Sequence, residues 1–367
     1  MPKLGYLNHL KLSGFRSIKE MDLPLGKLNV LIGPNGAGKS NFINFFRFMN
    51  KLLQKDLQLY VAEQGGADAI LHFGRKQTPL FEANLRFDPN SYHCVLMPTN
   101  DGRMVFKSES CRFYGQQINY EGGIKHKTLA EPGSPESGLP SPGNTSIAAH
   151  VAGYIQDWKV YHFHDTSQSA PVKQPCNIAD AGRLREQGEN LAAFLNYIKK
   201  YSPNSYARII STIQRAAPFF HDFILEREPH NERQIRLRWK HKGNDAYFDA
   251  HSLSDGTLRF ICLTTLLLQP KLPSVILLDE PELGLHPYAI QLLGSMLRSA
   301  SESTQIIVST QSVTLANEFE PDNVIVVEHK DNESKFRRLE AKAFESWLQD
   351  YRLGDLWEKN LLGGTPG

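Results

Sequence analysis

The 367-residue sequence predicts an α/β fold, and three observations carry that expectation. A short apolar run, Leu28-Asn29-Val30-Leu31-Ile32, passes through Gly33-Pro34-Asn35-Gly36-Ala37-Gly38-Lys39-Ser40 into Phe42, Phe45, Phe46, Met49, Leu52 and Leu53, which recur at helical spacing. Far along the chain a second apolar run, Val275-Ile276-Leu277-Leu278, ends in the acidic pair Asp279-Glu280. Between them, Ser252-Leu253-Ser254-Asp255-Gly256-Thr257 opens a helix-like apolar stretch from Leu258 to Leu268. Buried strands that lead through loops into helices form sheets with helices packed on them.

The first stretch fits the pattern G-x-x-x-x-G-K-[S/T] in full. It joins a strand to a helix N-terminus, where free backbone N–H groups and the positive dipole end favour an anion. Gly33, Gly36 and Gly38 lack Cβ atoms, so the backbone can curl around a phosphate. Lys39 is expected to reach the β- and γ-phosphates of a nucleotide, and Ser40 to place its hydroxyl on Mg²⁺. Asn35, Gly36, Gly38 and Asn41 belong to the same expected nucleotide-binding set.

The run Val275 to Leu278 reads as a central strand of a parallel sheet. Open α/β sheets bind ligands at the C-terminal ends of their strands, which is where Asp279 and Glu280 fall. Adjacent carboxylates can divide the work: Asp279 holds the magnesium ion, directly or through water, and Glu280 takes a proton from an attacking water.

Leu253-Ser254-Asp255-Gly256-Thr257 resembles the signature of the ABC-type ATPases. Within that group the chain resembles the RecF, Rad50 and structural-maintenance-of-chromosomes branch, and most of all the stand-alone bacterial RecF-like ATPases of AAA_21 type. Gly14-Phe15-Arg16-Ser17-Ile18 is similar to the opening motif of these proteins, Pro281 to Pro287 to their D-loop, and Ser309-Thr310-Gln311-Ser312 holds the switch position. Asp165-Thr166-Ser167, Gly188 to Leu195 and the tail Leu353-Gly354-Asp355-Leu356-Trp357 add to the likeness. The resemblance covers residues 1–90 and 150–367. It implies a P-loop NTPase of α/β class, with an ABC/RecF-like head made of a mixed-sheet lobe and a helical signature lobe. It also implies ATP and Mg²⁺ as ligands and a homodimer that closes head-to-tail around ATP. Ser254 and Gly256 would then face the γ-phosphate held by the other copy, an arrangement consistent with a second anion nest at a helix start. Arg16 would lie near the nucleotide, the alternative being an ordinary surface arginine.

Two features depart from the family pattern. Relatives usually carry histidine at the switch, where this chain has Gln311, which can hydrogen-bond but cannot take a positive charge. The Q-loop glutamine has no clear place; Gln64 and Gln77 are the candidates, each also readable as a surface residue.

Hydrophobic residues make up 41% and charged residues 22%, ordinary values for a globular chain, and the net charge of +2 gives no bulk attraction to nucleic acid. Cys94, Cys111, Cys176 and Cys262 show no paired spacing, which argues against a zinc site or a disulfide framework and fits a cytoplasmic setting. No apolar run is long enough to span a bilayer, so no membrane partner is expected.

Residues 1–90 are expected to form the first part of the head. Residues 91–150 read as a strand-leaning insertion, with turns at Asn100-Asp101-Gly102 and Glu121-Gly122-Gly123. Its stretch from Glu131 to Ser146 is dense in Pro, Gly and Ser and is expected to be a flexible loop that cannot pack. Residues 151–330 complete the head, and 331–367 form a C-terminal tail. Trp158–Phe163 is an expected strand, Leu191–Ala217 helical, and Phe223–Phe248 a hairpin. The gap from Lys39 to Asp279 is several times the ~30 residues of one βαβ unit. It holds no sustained heptads, so no long coiled coil is expected.

Arg227, Arg233, Arg236, Arg238, Lys240, His241 and Lys242 read as the solvated face of a hairpin with Glu226, Glu228, Glu232 and Asp245 as counter-charges, a ridge for a phosphate backbone being the alternative. His162 and His164 share one face of a strand, but a metal would need a third ligand that the sequence does not offer. The functional expectation is an ATP-gated dimer acting on DNA in repair or in defence against phage or plasmids. The alternative is a slow nucleotide switch that recruits or restrains an effector nuclease or toxin, and a transporter motor fits less well.

Overall fold

The computed structural model describes residues 6–114, 125–141, 146–244 and 246–364. The chain divides into two compact units, Met1–Trp158 with Glu320–Gly367, and Lys159–Phe319. The expected turn at Glu121–Gly123 and the counter-charge Asp245 lie outside the described residues.

In the first unit a six-stranded antiparallel sheet runs in the order Ile18–Pro24, His9–Phe15, Phe81–Arg86, Asn90–Pro98, Met104–Phe113, Lys125–Ala130. Burial along Phe81–Arg86 alternates strictly, as the two-residue period of a strand facing a core on one side requires. Phe81 and Phe15 from this sheet meet Phe48, and Phe15 also meets Phe45, with ring centroids 5.1–6.0 Å apart. Phe45 and Phe48 belong to the helix Lys39–Leu53, so one flank of that helix covers the sheet. Its other flank presents Phe42 to Phe336 and Phe46 to Trp158. Because the helix is covered on two sides, Ile43 and Phe48 are buried along with the predicted Phe42, Phe45, Phe46, Met49 and Leu52, while Leu53 is only half-buried. The strand Leu28–Ile32 is buried throughout and pairs in parallel with Val324–Lys330, which pairs antiparallel with Glu333–Arg338.

The Pro/Gly/Ser-rich stretch corrects an expectation. Within residues 131–141, Ser137 and Leu139 are buried and a fully buried carboxylate holds the chain at Ser137–Gly138, while most of the remaining residues are exposed. Glu109 accepts from Tyr92 Oη at 2.7 Å, Ser137 Oγ at 2.5 Å and the Gly138 N–H at 2.6 Å. Lys55 Nζ donates to the Leu139 carbonyl at 2.7 Å, and Glu136 accepts from the Leu57 and Gln58 N–H groups at 3.0 and 3.1 Å. Composition foretold the missing secondary structure but not the anchor, which comes from a strand some 30 residues away in sequence, the scale of one supersecondary unit.

The second unit holds a parallel pair, Val275–Asp279 with Gln305–Thr310, in register from Val275 opposite Gln305 to Asp279 opposite Ser309. Its helices are Leu191–Tyr201, Pro203–Ala216, Asp255–Leu268 and Pro287–Ser301, with a short turn of helix at Val313–Ala316. The predicted helical stretch from Leu191 breaks at Ser202, whose backbone leaves the helical region before Pro203 starts the next helix. The expected hairpin Phe223–Phe248 instead splits between two three-stranded sheets. Phe220–Ile224, Arg238–His241 and Tyr247–Asp249 form one; Arg227–Glu228, Asn231–Ile235 and Cys176–Asn177 form the other. Among the described residues the longest helices have 15 residues, and no long coiled coil is present. No helix among them is long and apolar enough to cross a membrane.

Candidate functional site

In the first unit the buried strand Leu28–Ile32 stops at Gly33, and the loop to Gly38 opens the helix at Lys39. Gly38 has φ 115°, and a Cβ there would sit 2.1 Å from Ser334 Oγ and 3.0 Å from Ser17 Oγ, so only glycine lets the loop close onto that pair. Ser334 donates to Ser17, and Asn41 donates its side-chain amide to the same Ser17 hydroxyl, both at 2.7 Å. The loop is thereby braced from beneath. Lys39 is buried, with Nζ donating to the carbonyls of Gly33 at 2.6 Å and Pro34 at 3.0 Å, which holds the ammonium across the loop. Asn35, Gly36 and Ser40 are exposed. An exposed helix start with a bound lysine and a free-facing serine hydroxyl suits a phosphate with its magnesium ion.

Arg16 and Gln64 come together beside this loop's supports. The Arg16 guanidinium donates to Gln64 Oε1 and lies 5.8 Å from the Phe15 ring centroid. Its backbone sits at φ 51°, tied at both ends: the N–H donates to the Ile70 carbonyl and the carbonyl accepts from His72 Nδ1, each at 2.7 Å. Gln77, the other Q-loop candidate, is exposed.

In the second unit Asp279, Glu280 and Gln311 converge at the ends of the two parallel strands. Ser309 Oγ donates to Asp279 Oδ1, and the Gln311 side-chain amide donates to Glu280 Oε1. The Glu280 N–H donates to the Ser309 carbonyl at 3.0 Å, with φ at 45°, a left-handed conformation that costs a non-glycine residue about 1 kcal/mol. His164 Nε2 donates to the Asp279 carbonyl at 2.8 Å, so this histidine braces the strand end. Among the described residues no group of three His, Cys, Asp or Glu side chains could hold a metal by itself. A magnesium ion would depend on a nucleotide for its other ligands, as is usual for this ion.

Ser254 is exposed and caps the signature helix, accepting from the Thr257 N–H at 3.2 Å. Gly256 lies against the D-loop: a Cβ there would come within 2.3 Å of the Gly284 carbonyl oxygen. Arg259, one turn on, donates Nε to the Phe163 carbonyl at 3.0 Å, one amino group to the His164 carbonyl at 3.2 Å and the other to the Leu283 carbonyl. The signature helix, the D-loop and the His164 segment are therefore one hydrogen-bonded cluster. On its outer side Leu283, Gly284, His286 and Tyr288 are exposed.

Four participants were not assigned roles from sequence. Ser309 falls in the switch stretch but had no role of its own, and Arg259 carries no pattern. His164 was noted, though not as a brace for Asp279. Glu282 is buried within the D-loop stretch; its Oε1 accepts from Thr310 Oγ1 at 2.5 Å and from the Gln311 N–H at 3.2 Å. Burial pushes its carboxyl above the ordinary glutamate range. Three members of the basic cluster, Arg227, Arg236 and Arg238, meet acidic partners, two of them the expected Glu228 and Glu232. Arg238 meets Glu228 at 2.8 Å, Arg227 meets Glu232 at 3.7 Å, and Arg236 lies 3.4 Å from both Glu228 and Asp249.

Residues 28–317 match the AAA_21 family, described as "AAA domain, putative AbiEii toxin, Type IV TA system". The chain belongs to this family. A curated relative of this AAA_21 protein, the OLD nuclease of Thermus scotoductus, is 46% identical over 377 aligned positions, covering 95% of this chain and 67% of the relative. Two solved structures share the fold. An Smc head bound to the C-terminal winged-helix domain of ScpA superposes with a TM-score of 0.55 at 16% identity, over 93% of this chain and 99% of the other. An Smc head with an extended coiled coil, bound to the ScpA C-terminal domain from Pyrococcus furiosus, gives 0.52 at 15% identity, over 94% and 99%. The AAA_21 protein is an ABC-type ATPase of the RecF/Rad50/SMC branch.

Proposed function

We propose that this AAA_21 protein binds and hydrolyses Mg-ATP, closes head-to-tail on a second copy around the nucleotide, and serves a DNA transaction in the cytoplasm, in repair or in defence against phage or plasmids. The observation that carries the reading is the convergence of Asp279, Glu280 and Gln311 at the strand ends, with the Gln311 amide on the Glu280 carboxylate. In hydrolysis a water oxygen attacks the γ-phosphorus, the bond from that phosphorus to the β–γ bridging oxygen breaks, and ADP and phosphate leave. Glu280 accepts the water's proton, and Gln311 holds its carboxylate. Lys39 and the N–H groups from Asn35 to Ser40 take the phosphate charge. Ser40 and Asp279 are the residues that would each offer a ligand to a magnesium ion, which would supply positive charge for the phosphates. Arg16 stands as the nucleotide-side arginine. Ser254, exposed at a helix start, and Gly256 beside it supply the face that a second copy's γ-phosphate meets.

The DNA assignment draws on the relative that is named a nuclease. A second reading keeps the ATP-gated dimer but makes it a slow switch that recruits or restrains an effector nuclease or toxin. It is favoured by Gln311, a neutral group that cannot gain charge in the transition state.

Sizing of Glu280→Gln with ATP, without ATP, and with ATP plus DNA tests the proposal. The expected result is a dimer only with ATP, absent when Lys39→Ala is added. A monomer under every condition, or full turnover by Glu280→Gln, overturns it. DNA that neither binds nor changes turnover of the wild type at low salt leaves the switch reading in its place.

A further inference from the structure

The buried carboxylate beside the switch has a geometry that the fold alone does not require. Glu282 is 6% exposed. One oxygen takes the Thr310 hydroxyl and the Gln311 N–H; the other, Oε2, is buried with no hydrogen-bond partner. Leaving a buried carboxylate oxygen unpaired is costly, whereas an apolar residue there would remove that cost. Thr310 is fixed twice, since its hydroxyl also accepts from the Ser312 N–H at 2.9 Å. The backbone on both sides of Gln311 is thus pinned, one side of it through Glu282, and what remains to the Gln311 side chain is its reach to Glu280.

We propose that Glu282 is a positioning residue for hydrolysis: by gripping Thr310 and the Gln311 backbone it sets where the Gln311 amide meets Glu280. It links the D-loop, which carries Leu283 and Gly284 on the exposed side, to the switch. Burial of the carboxyl and the charge of Glu280 both disfavour its ionised form, which adds to the cost of keeping it there. The inference rests on the hydrolysis reading above.

The test uses steady-state kcat and KM for Mg-ATP on the full chain. Glu282→Ala is expected to lower kcat about tenfold or more with KM held within about twofold, the signature of a group that acts on the chemical step. Glu282→Gln keeps the Oε1 acceptor and should stay within about threefold of wild type. In a Gln311→Ala background, Glu282→Ala should add less than about twofold, because the two act in series. Thr310→Val, which removes one donor and leaves the carboxylate in place, should lower kcat in the same direction and covers the case in which Glu282→Ala does not fold. Undiminished kcat in Glu282→Ala, or in Thr310→Val where only that variant folds, overturns the inference. So does an equal loss with and without Gln311, or a Glu282→Gln protein as slow as Glu282→Ala. Wild type against Glu280→Gln reads hydrolysis separately: no wild-type turnover removes that reading and this one with it, while turnover lost only in Glu280→Gln leaves the Glu282 series to decide.

Discussion

The side-chain amide of Gln311 donates to Oε1 of Glu280, so the switch residue and the candidate base are joined before any ligand is considered. Glutamine serves here as an orienting donor. A hydrogen bond to a carboxylate is worth roughly 1.5–3 kcal/mol. Gln311→Ala is therefore expected to lower kcat about tenfold with little change in nucleotide affinity, and Gln311→Glu to lower it further by setting two carboxylates together. Single-turnover hydrolysis beside equilibrium ATP binding separates the two effects. Weakened binding with unchanged turnover would contradict the assignment.

Gly256→Ala should disturb the signature helix while leaving the loop around Lys39 untouched. The new methyl meets the Gly284 carbonyl, which is backbone and cannot swing aside. Overpacking of this kind costs about 1–3 kcal/mol. A thermal melt lowered by several degrees, with ATP binding retained, is the expected result; a melt equal to wild type would mean that the D-loop yields freely.

Glu109→Ala removes the anchor of the 131–141 segment and leaves Tyr92 and Ser137 hydroxyls and the Gly138 N–H without their acceptor. Buried donors stripped of a charged partner cost about 3 kcal/mol or more together. Urea unfolding should show that loss, and limited proteolysis should open a site within 131–141. Resistance equal to wild type would show that the segment holds by other contacts.

Glu282 sets a pH dependence. Burial raises its folded-state pKa above the unfolded value, so the native chain binds the extra proton in the window between them. Its stabilising contribution is complete below the unfolded value and is lost as pH rises through the folded one. Glu282→Gln removes the titration. Wild type should thus lose melting temperature relative to Glu282→Gln as pH is raised from the acid side of the ordinary glutamate range to neutrality. Parallel profiles would place the carboxylate in contact with water.

The phosphate loop was readable because all its parts are local: Gly33 to Ser40, the strand before and the helix after are contiguous, and the chemistry follows from neighbours in sequence. The acidic pair was readable for the same reason, as a strand end. The break at Ser202 was within reach too, since Pro203 marks it, but the surrounding helical periodicity hid it. The anchoring of residues 131–141 was not readable, because composition describes a segment and Glu109 belongs to another.

The sequence by itself determined the class of fold, and it singled out Lys39, Ser40, Asp279, Glu280 and Gln311 as the candidate site residues. Those are matters of local pattern, fixed by spacing along a strand, a loop and a helix. Only the tertiary structure decided how the groups are held: Ser309 on Asp279, Gln311 on Glu280, Glu282 beneath the switch, Arg259 across the D-loop and Ser334 under Gly38. Each of these partners lies in a different element from the group it holds. Burial makes such hydrogen bonds obligatory, while sequence order says nothing of which buried donor will meet which acceptor.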